Sequence, residues 1–299
     1  MPRAKLNEIE LEYEVHGARD GDPLLLVHGL GVQLTRWSKP FIRALVERGF
    51  FVIVYDNRDV GLSTRFDSWG PADIPEAFRR ARAREAVVAP YTLDDMADDG
   101  IALLESLGIA EAHVLGLSNG GAIAQIMAIR HPDRVASLVS MMATSGRRGL
   151  PRPTEAAQAW LNRPRNPAGT REGAMQEAVE SSALIGSPGA LDDEEAIRAG
   201  AASDYDRSFY PDGSSRHLLA SIASGDSRVE KLAGITCPTL VIHGALDPLV
   251  PVAQGRDVCD SIPNANMLVI ENMAHDIPDH AVAEIADAIR DNSLRAADR

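Results

Sequence analysis

The sequence predicts an α/β fold: a mostly parallel sheet flanked by helices, with a helical insertion past its middle. Three observations carry that prediction. Short apolar runs of strand length alternate with stretches of helical periodicity and short links, an order that calls for parallel pairing. One such run, Val114-Leu115-Gly116-Leu117, enters the pentapeptide Gly116-Leu117-Ser118-Asn119-Gly120 and leaves as a helix. From Thr144 to about Ser227 the alternation stops; prolines 151, 153, 164 and 167 punctuate Ala-rich helical patches, and no strand pattern is evident.

Taken in order, Ile9, Leu11, Tyr13 and Val15 alternate with glutamates, the period-2 pattern of an antiparallel edge strand with one wet face. Leu24 to Val27 reads as a buried strand ending in His28-Gly29-Leu30-Gly31, followed by a helix from about Trp37 to Arg48. Phe51 to Tyr55 is the next buried strand and runs into Asp56-Asn57-Arg58-Asp59-Val60-Gly61-Leu62-Ser63. Residues 64–90 are longer than a simple connection needs, and the arginine-rich run 75–85 reads as a solvated helix, with a place at the mouth of a site as the alternative. Thr92 with Asp95 caps a helix through Leu107 that stops at Gly108. The strand before Ser118, its following helix to His131-Pro132, and a strand from Val135 to Met142 complete the first part. Helical patches fall near 154–161, 170–184, 192–207 and 215–223. Alternation resumes with Pro238 to His243, a helix near 252–261, the strand Met267 to Ile270 and a closing helix from about Pro278 to Arg290. The expected division is a core of 1–143 with 228–299 and a helical cap of 144–227.

At 299 residues the chain suits one large domain with an insertion. Its 30 Lys and Arg against 43 Asp and Glu leave a net charge of −13, which repels nucleic acid and anionic membrane. Cys237 and Cys259 are too few for a disulfide framework and lie in no metal-binding spacing. The start, Met1-Pro2-Arg3-Ala4-Lys5, has no apolar leader pattern, and no run reaches the length of a membrane span. The expectation is a soluble cytoplasmic protein whose partner is a small molecule, with the oligomeric state open.

The turn at Ser118 points to chemistry. A serine on a sharp strand-to-helix turn needs glycines two residues either side so that strand and helix approach without Cβ clashes, and Gly116 and Gly120 fill those places. A serine hydroxyl is a weak nucleophile unless an imidazole takes its proton and a carboxylate orients that imidazole. Asp247 follows the strand ending at His243, and His275 follows the strand ending at Ile270, both at strand ends where they can meet Ser118. Asp257 and Asp276 are poorer substitutes because neither ends a strand. Among the other histidines, His28 reads as structural, His113 and His243 as core residues, His131 as a helix end, and His217 is open. An oxyanion forming at Ser118 needs amide donors, for which Asn119 and Leu30 are the candidates.

The series His28-Gly29-Leu30-Gly31, Asp56-Asn57-Arg58-Asp59-Val60-Gly61-Leu62-Ser63, Gly116 to Gly121, a helical cap, Pro238 to Pro248 and Asn272-Met273-Ala274-His275 resembles the α/β-hydrolase family along almost the whole chain. Within that family it is similar to the esterases that include aclacinomycin methylesterase and the enol-lactonases. The resemblance implies an α/β-hydrolase fold with an eight-stranded sheet and a cap inserted after the sixth strand. It also implies a Ser118, Asp247 and His275 triad, oxyanion amides at Leu30 and Asn119, ester hydrolysis through an acyl-enzyme, and neither cofactor nor metal. Asn119 stands where many relatives carry Met, while Asp56, Arg58 and Gly61 read as holding a loop. Lactonases, carbon–carbon bond hydrolases, aminopeptidases, acyltransferases and a non-catalytic receptor share this scaffold. Trp160, Leu184, Tyr205, Phe209 and Tyr210 are candidates for an apolar pocket wall suited to small or medium acyl chains; Glu177, Glu180, Asp204 and Asp206 are the cap carboxylates an aminopeptidase would need.

Overall fold

A computed structural model describes residues 2–6, 8–163, 166 and 169–296. Its sheet is built from β1 (Arg3–Lys5), β2 (Glu10–His16), β3 (Asp22–Val27), β4 (Phe50–Tyr55), β5 (Ala112–Leu117), β6 (Val135–Met141), β7 (Thr239–Gly244) and β8 (Ala265–Ile270). The strand order is β1-β2-β4-β3-β5-β6-β7-β8; β2 is antiparallel to both β1 and β4, and every other pairing is parallel. The eight strands agree with the expected architecture. The eighth is β1, a three-residue edge whose pattern is too short to stand out in the sequence.

The continuous apolar runs have a simple cause: helices cover both faces of the sheet. Alternate residues of one strand therefore enter different cores. Leu25, Ile53, Val114 and Val241 pack with α3 (Leu93–Ser106), α4 (Asn119–Arg130) and α9 (Val252–Ser261). Leu24, Leu26, Val52 and Leu115 pack with α1 (Lys39–Glu47) and α10 (Val282–Leu294). A strand dry on both faces has no polar position, so period-2 alternation disappears. The start of α3 is a reciprocal cap: the Asp95 amide donates to Thr92 Oγ1 at 3.3 Å and the Thr92 amide to Asp95 Oδ2 at 2.7 Å.

The arginine-rich run is helical over α2 (Ile74–Ala83) and faces solvent, with Arg79 and Arg80 paired to Glu76 and Arg79 also to Glu85. Between β6 and β7 lie α5 (Glu155–Asn162), α6 (Arg171–Ile185), α7 (Glu194–Ser208) and α8 (Pro211–Ser224), close to the four helical patches read from the sequence. Pro164 and Pro167 lie outside the described residues. No helix among the described residues is long and apolar enough to cross a membrane.

The chain moves outward from β3 to β4 on one side and to β5 on the other. The loops leaving the C-terminal ends of β3 and β5 therefore diverge, which opens a crevice at that edge.

Candidate active site

Ser118 sits in the crevice, at the turn between β5 and α4. Its backbone angles, φ 57° and ψ −118°, are ones an L-residue rarely adopts, and they are held from both sides. A Cβ on Gly116 would lie 2.0 Å from the Gly120 carbonyl oxygen, and one on Gly120 would lie 2.1 Å from that of Val27. Both contacts are with backbone, which has no rotamer to escape into. The two glycines are thus required by the crossing of strand, helix and neighbouring loop.

The other two candidates arrive from the ends of β7 and β8. His275 Nε2 is 3.0 Å from Ser118 Oγ, and His275 Nδ1 is 2.7 Å from Asp247 Oδ2. The second carboxylate oxygen, Asp247 Oδ1, accepts the amides of Leu249 at 2.9 Å and Val250 at 2.8 Å. Asp247 is fully enclosed as a side chain, so these donors replace its water and fix the plane in which it meets the imidazole. The imidazole loop is stitched to the end of α6: the His275 amide donates to the Ile185 carbonyl at 2.9 Å, the Ala274 amide to Ser187 Oγ at 2.9 Å, and Ser187 in turn donates to Asp276. Asp276 is engaged there, and Asp257 holds Ser145 and Arg147, so neither competes for His275.

Above Ser118 lies a cavity of about 610 Å³. Both Leu30 and Asn119 line it. As the first residue of α4, Asn119 has an amide that no preceding helical turn can take, and the Leu30 amide has no acceptor among the described residues. Gly29 brings that loop against the nucleophile, since a Cβ there would stand 3.5 Å from Ser118 Cβ. Ser118, the His275 ring and the residues Leu30 and Asn119 thus all border one cavity, with the imidazole in hydrogen-bond reach of the hydroxyl.

His28 lines the same cavity with its ring 4.5 Å from that of Trp37, and burial together with the nearby Arg36 pulls its pKa down to about 3. The Asn119 side chain accepts a hydrogen bond from Ser221 of α8, while its Nδ2 is buried without a partner among the described residues. Asp56 holds the Leu34 and Leu62 amides at 2.8 and 2.9 Å, Arg58 is paired with Asp99, and Gly61 packs against Asp56. His113 bonds Ser137, His131 bonds Asp98, and His243 bonds the Val250 carbonyl.

The aromatic wall differs from the sequence reading. Of the five residues named for it, Trp160 alone lines the Ser118 cavity. Tyr205, Phe209 and Tyr210 line a second cavity of about 300 Å³. Tyr205 and Phe209 pack on each other at 4.9 Å, and Tyr210 is held by Arg216 and Asp67. Leu184 lines neither cavity. The cap carboxylates are likewise engaged elsewhere: Glu180 with Arg163, Asp206 with Arg171, Asp204 with Thr35 and Glu177 with the Asn166 amide. No residue of α2 lines the cavity. Sequence reasoning had no signal for Ser221 or Arg228, which do line it and belong to no motif, and it left open His217, which is buried behind the Leu30 loop.

A family model described as alpha/beta hydrolase fold matches residues 22–280. A rhodomycin D methylesterase of Streptomyces is 30% identical over 295 residues, with 91% of each chain covered. Among solved structures, the enol-lactonase of Burkholderia xenovorans superposes with a TM-score of 0.71 at 25% identity, covering 100% of both chains. A thermophilic esterase of Thermogutta terrifontis superposes with a TM-score of 0.73 at 26% identity, covering 99% of both.

Proposed function

The chain belongs to the alpha/beta hydrolase fold family, and on that footing we propose that it is a serine hydrolase cleaving carboxylic esters through an acyl-enzyme. The observation that carries the reading is the unbroken line of contacts from Ser118 Oγ through the His275 ring to Asp247, at 3.0 and 2.7 Å. Ser118 attacks the ester carbonyl while its proton passes to His275 Nε2. Asp247 keeps the other ring nitrogen as the donor and stabilises the imidazolium that forms. The carbonyl oxygen, now negative, takes the Leu30 and Asn119 amides, each worth a few kcal/mol at the transition state. Collapse expels the alcohol, which leaves with the proton from His275; water then repeats the sequence on the acyl-enzyme. The relatives named above as methylesterase, enol-lactonase and esterase support this substrate class, and a lactone is the same bond closed into a ring.

Residues 144–227 act in this reading as a cap over the core of 1–143 and 228–299. Its support is that Trp160, Ser181 and Ile185 line the cavity and that Ile185 holds the His275 loop. An aminopeptidase is disfavoured, since the cap carboxylates are held away from the Ser118 cavity. A cytoplasmic setting is supported by the cysteine count, two in 299 residues, which is too few for a disulfide framework.

Two experiments test the assignment. A fluorophosphonate probe should label Ser118 in the wild-type chain and not in Ser118→Ala, and that variant should lose turnover of nitrophenyl esters by at least about a thousand-fold. Full activity in Ser118→Ala would end the proposal.

A further inference from the structure

Arg228 stands where the chain returns from α8 to the core, and it is 4% exposed. Cations buried that deeply are ordinarily matched by a carboxylate. Other largely buried arginines of the chain follow the rule: Arg58 has Asp99, Arg216 has Asp59 and Arg207 has Asp56. Among the described residues Arg228 forms no ion pair. The acid whose charge reaches it, Asp94, lies on the surface and is shared with Arg130 at 3.4 Å.

The guanidinium is held by neutral acceptors. Nε donates to Gln125 Oε1 at 3.0 Å and Nη2 to the Thr144 carbonyl at 2.8 Å, which fixes the plane of the group. Nη1 has no acceptor among the described residues. Arg228 lines the Ser118 cavity together with Gly146 and Gly225, and Gly146 is the residue that flanks Nη1. Burial pulls its pKa down to about 10, which still leaves a full positive charge at neutral pH.

Two features set its place relative to the reacting bond. The row Asn119, Ala122, Gln125 runs along α4 from the nucleophile toward the guanidinium, about 9 Å of helix axis. On the other flank Gly146 has φ 87°, and a Cβ there would lie 2.6 Å from the Gly225 carbonyl oxygen and 3.4 Å from Nη1. Bare backbone thus passes where a side chain would crowd the free edge.

A buried guanidinium without a carboxylate partner gains most from an anion that accepts its remaining protons, and its planar fork suits a carboxylate. We propose that the substrate is an ester or lactone that itself carries a carboxylate, bound by Arg228 about two helical turns from the bond Ser118 attacks. The inference rests on the ester-hydrolase reading of the site and adds the charge of its substrate.

The test compares esters that differ only in charge. Monomethyl glutarate against its primary amide, methyl glutaramate, places the carboxylate on the acyl side; O-acetylglycolate against O-acetylglycolamide places it on the alcohol side. In the wild-type enzyme one anionic ester should exceed its neutral partner in kcat/KM by about ten-fold or more. Arg228→Gln should reduce that ratio by about ten-fold or more, and Arg228→Lys should restore part of it. Preference for the neutral partner in both pairs, or a ratio unchanged in Arg228→Gln, overturns the proposal. Should Arg228→Gln fail to fold, inhibition of the wild-type enzyme by butyrate and by butyramide decides: stronger inhibition by butyrate supports the anion site, and equal inhibition overturns it. Turnover of neutral esters without these effects overturns the anion site alone. If no ester is cleaved and the fluorophosphonate leaves Ser118 unlabelled, the hydrolase reading has failed and the anion site falls with it.

Discussion

Removing the His217 imidazole should destabilise the fold strongly at neutral pH and less in acid. His217 is fully buried on α8, where Nδ1 accepts the Gly31 amide at 3.2 Å and Nε2 donates to the Arg58 carbonyl at 2.6 Å. In His217→Ala both backbone groups lose their partner, at about 1–3 kcal/mol each, so a loss of about 3 kcal/mol is expected at pH 7.5. The pH dependence follows from the direction of the shift. Burial lowers the pKa of this imidazole below its ordinary 6.5; Arg58 and Arg216 push the same way, while the hydrogen bond to the Arg58 carbonyl and the charge of Asp59 oppose. The unfolded chain then binds a proton that the folded chain refuses. The stability contributed by the neutral ring is present above about pH 6.5 and is lost as pH falls through that value. The alanine variant lacks the titrating group, so its deficit relative to wild type should shrink between about pH 7.5 and 5.5. Urea unfolding of both proteins at the two pH values measures it. A deficit below about 1 kcal/mol at pH 7.5, or one that grows toward pH 5.5, would refute the argument. Because Gly31 adjoins the Leu30 amide, kcat should also fall, by about ten-fold.

Gly120→Ala should either prevent folding or abolish ester turnover, because its Cβ meets the Val27 carbonyl oxygen at 2.1 Å; circular dichroism with a nitrophenyl ester assay checks it, and an active, stable variant would contradict the account of the turn. Arg216→Met leaves Asp59 buried with its charge unmatched, and a loss of about 3–5 kcal/mol is expected in urea unfolding. The further change Asp59→Asn in the same chain should recover part of that loss.

The sequence by itself determined the parts that are local. Strand length, helical periodicity, the Thr92–Asp95 cap and the Gly116–Ser118–Gly120 turn are legible because each depends on residues a few positions apart. Asp247 and His275 were found because each follows an apolar strand, and parallel strands end at one edge. The tertiary structure decided what depends on neighbours distant in the chain. Tyr205 and Phe209 satisfy each other beside a second cavity instead of lining the first, because helix packing and not apolar character sets which way a ring faces. Arg228 and His217 belong to no pattern at all. Their meaning comes from Gln125, Thr144, Gly31 and Arg58, which contribute one hydrogen-bonding group each from four separate places in the sequence. A buried cation or imidazole has a role only through its partners, and those partners exist only once the chain has closed around them.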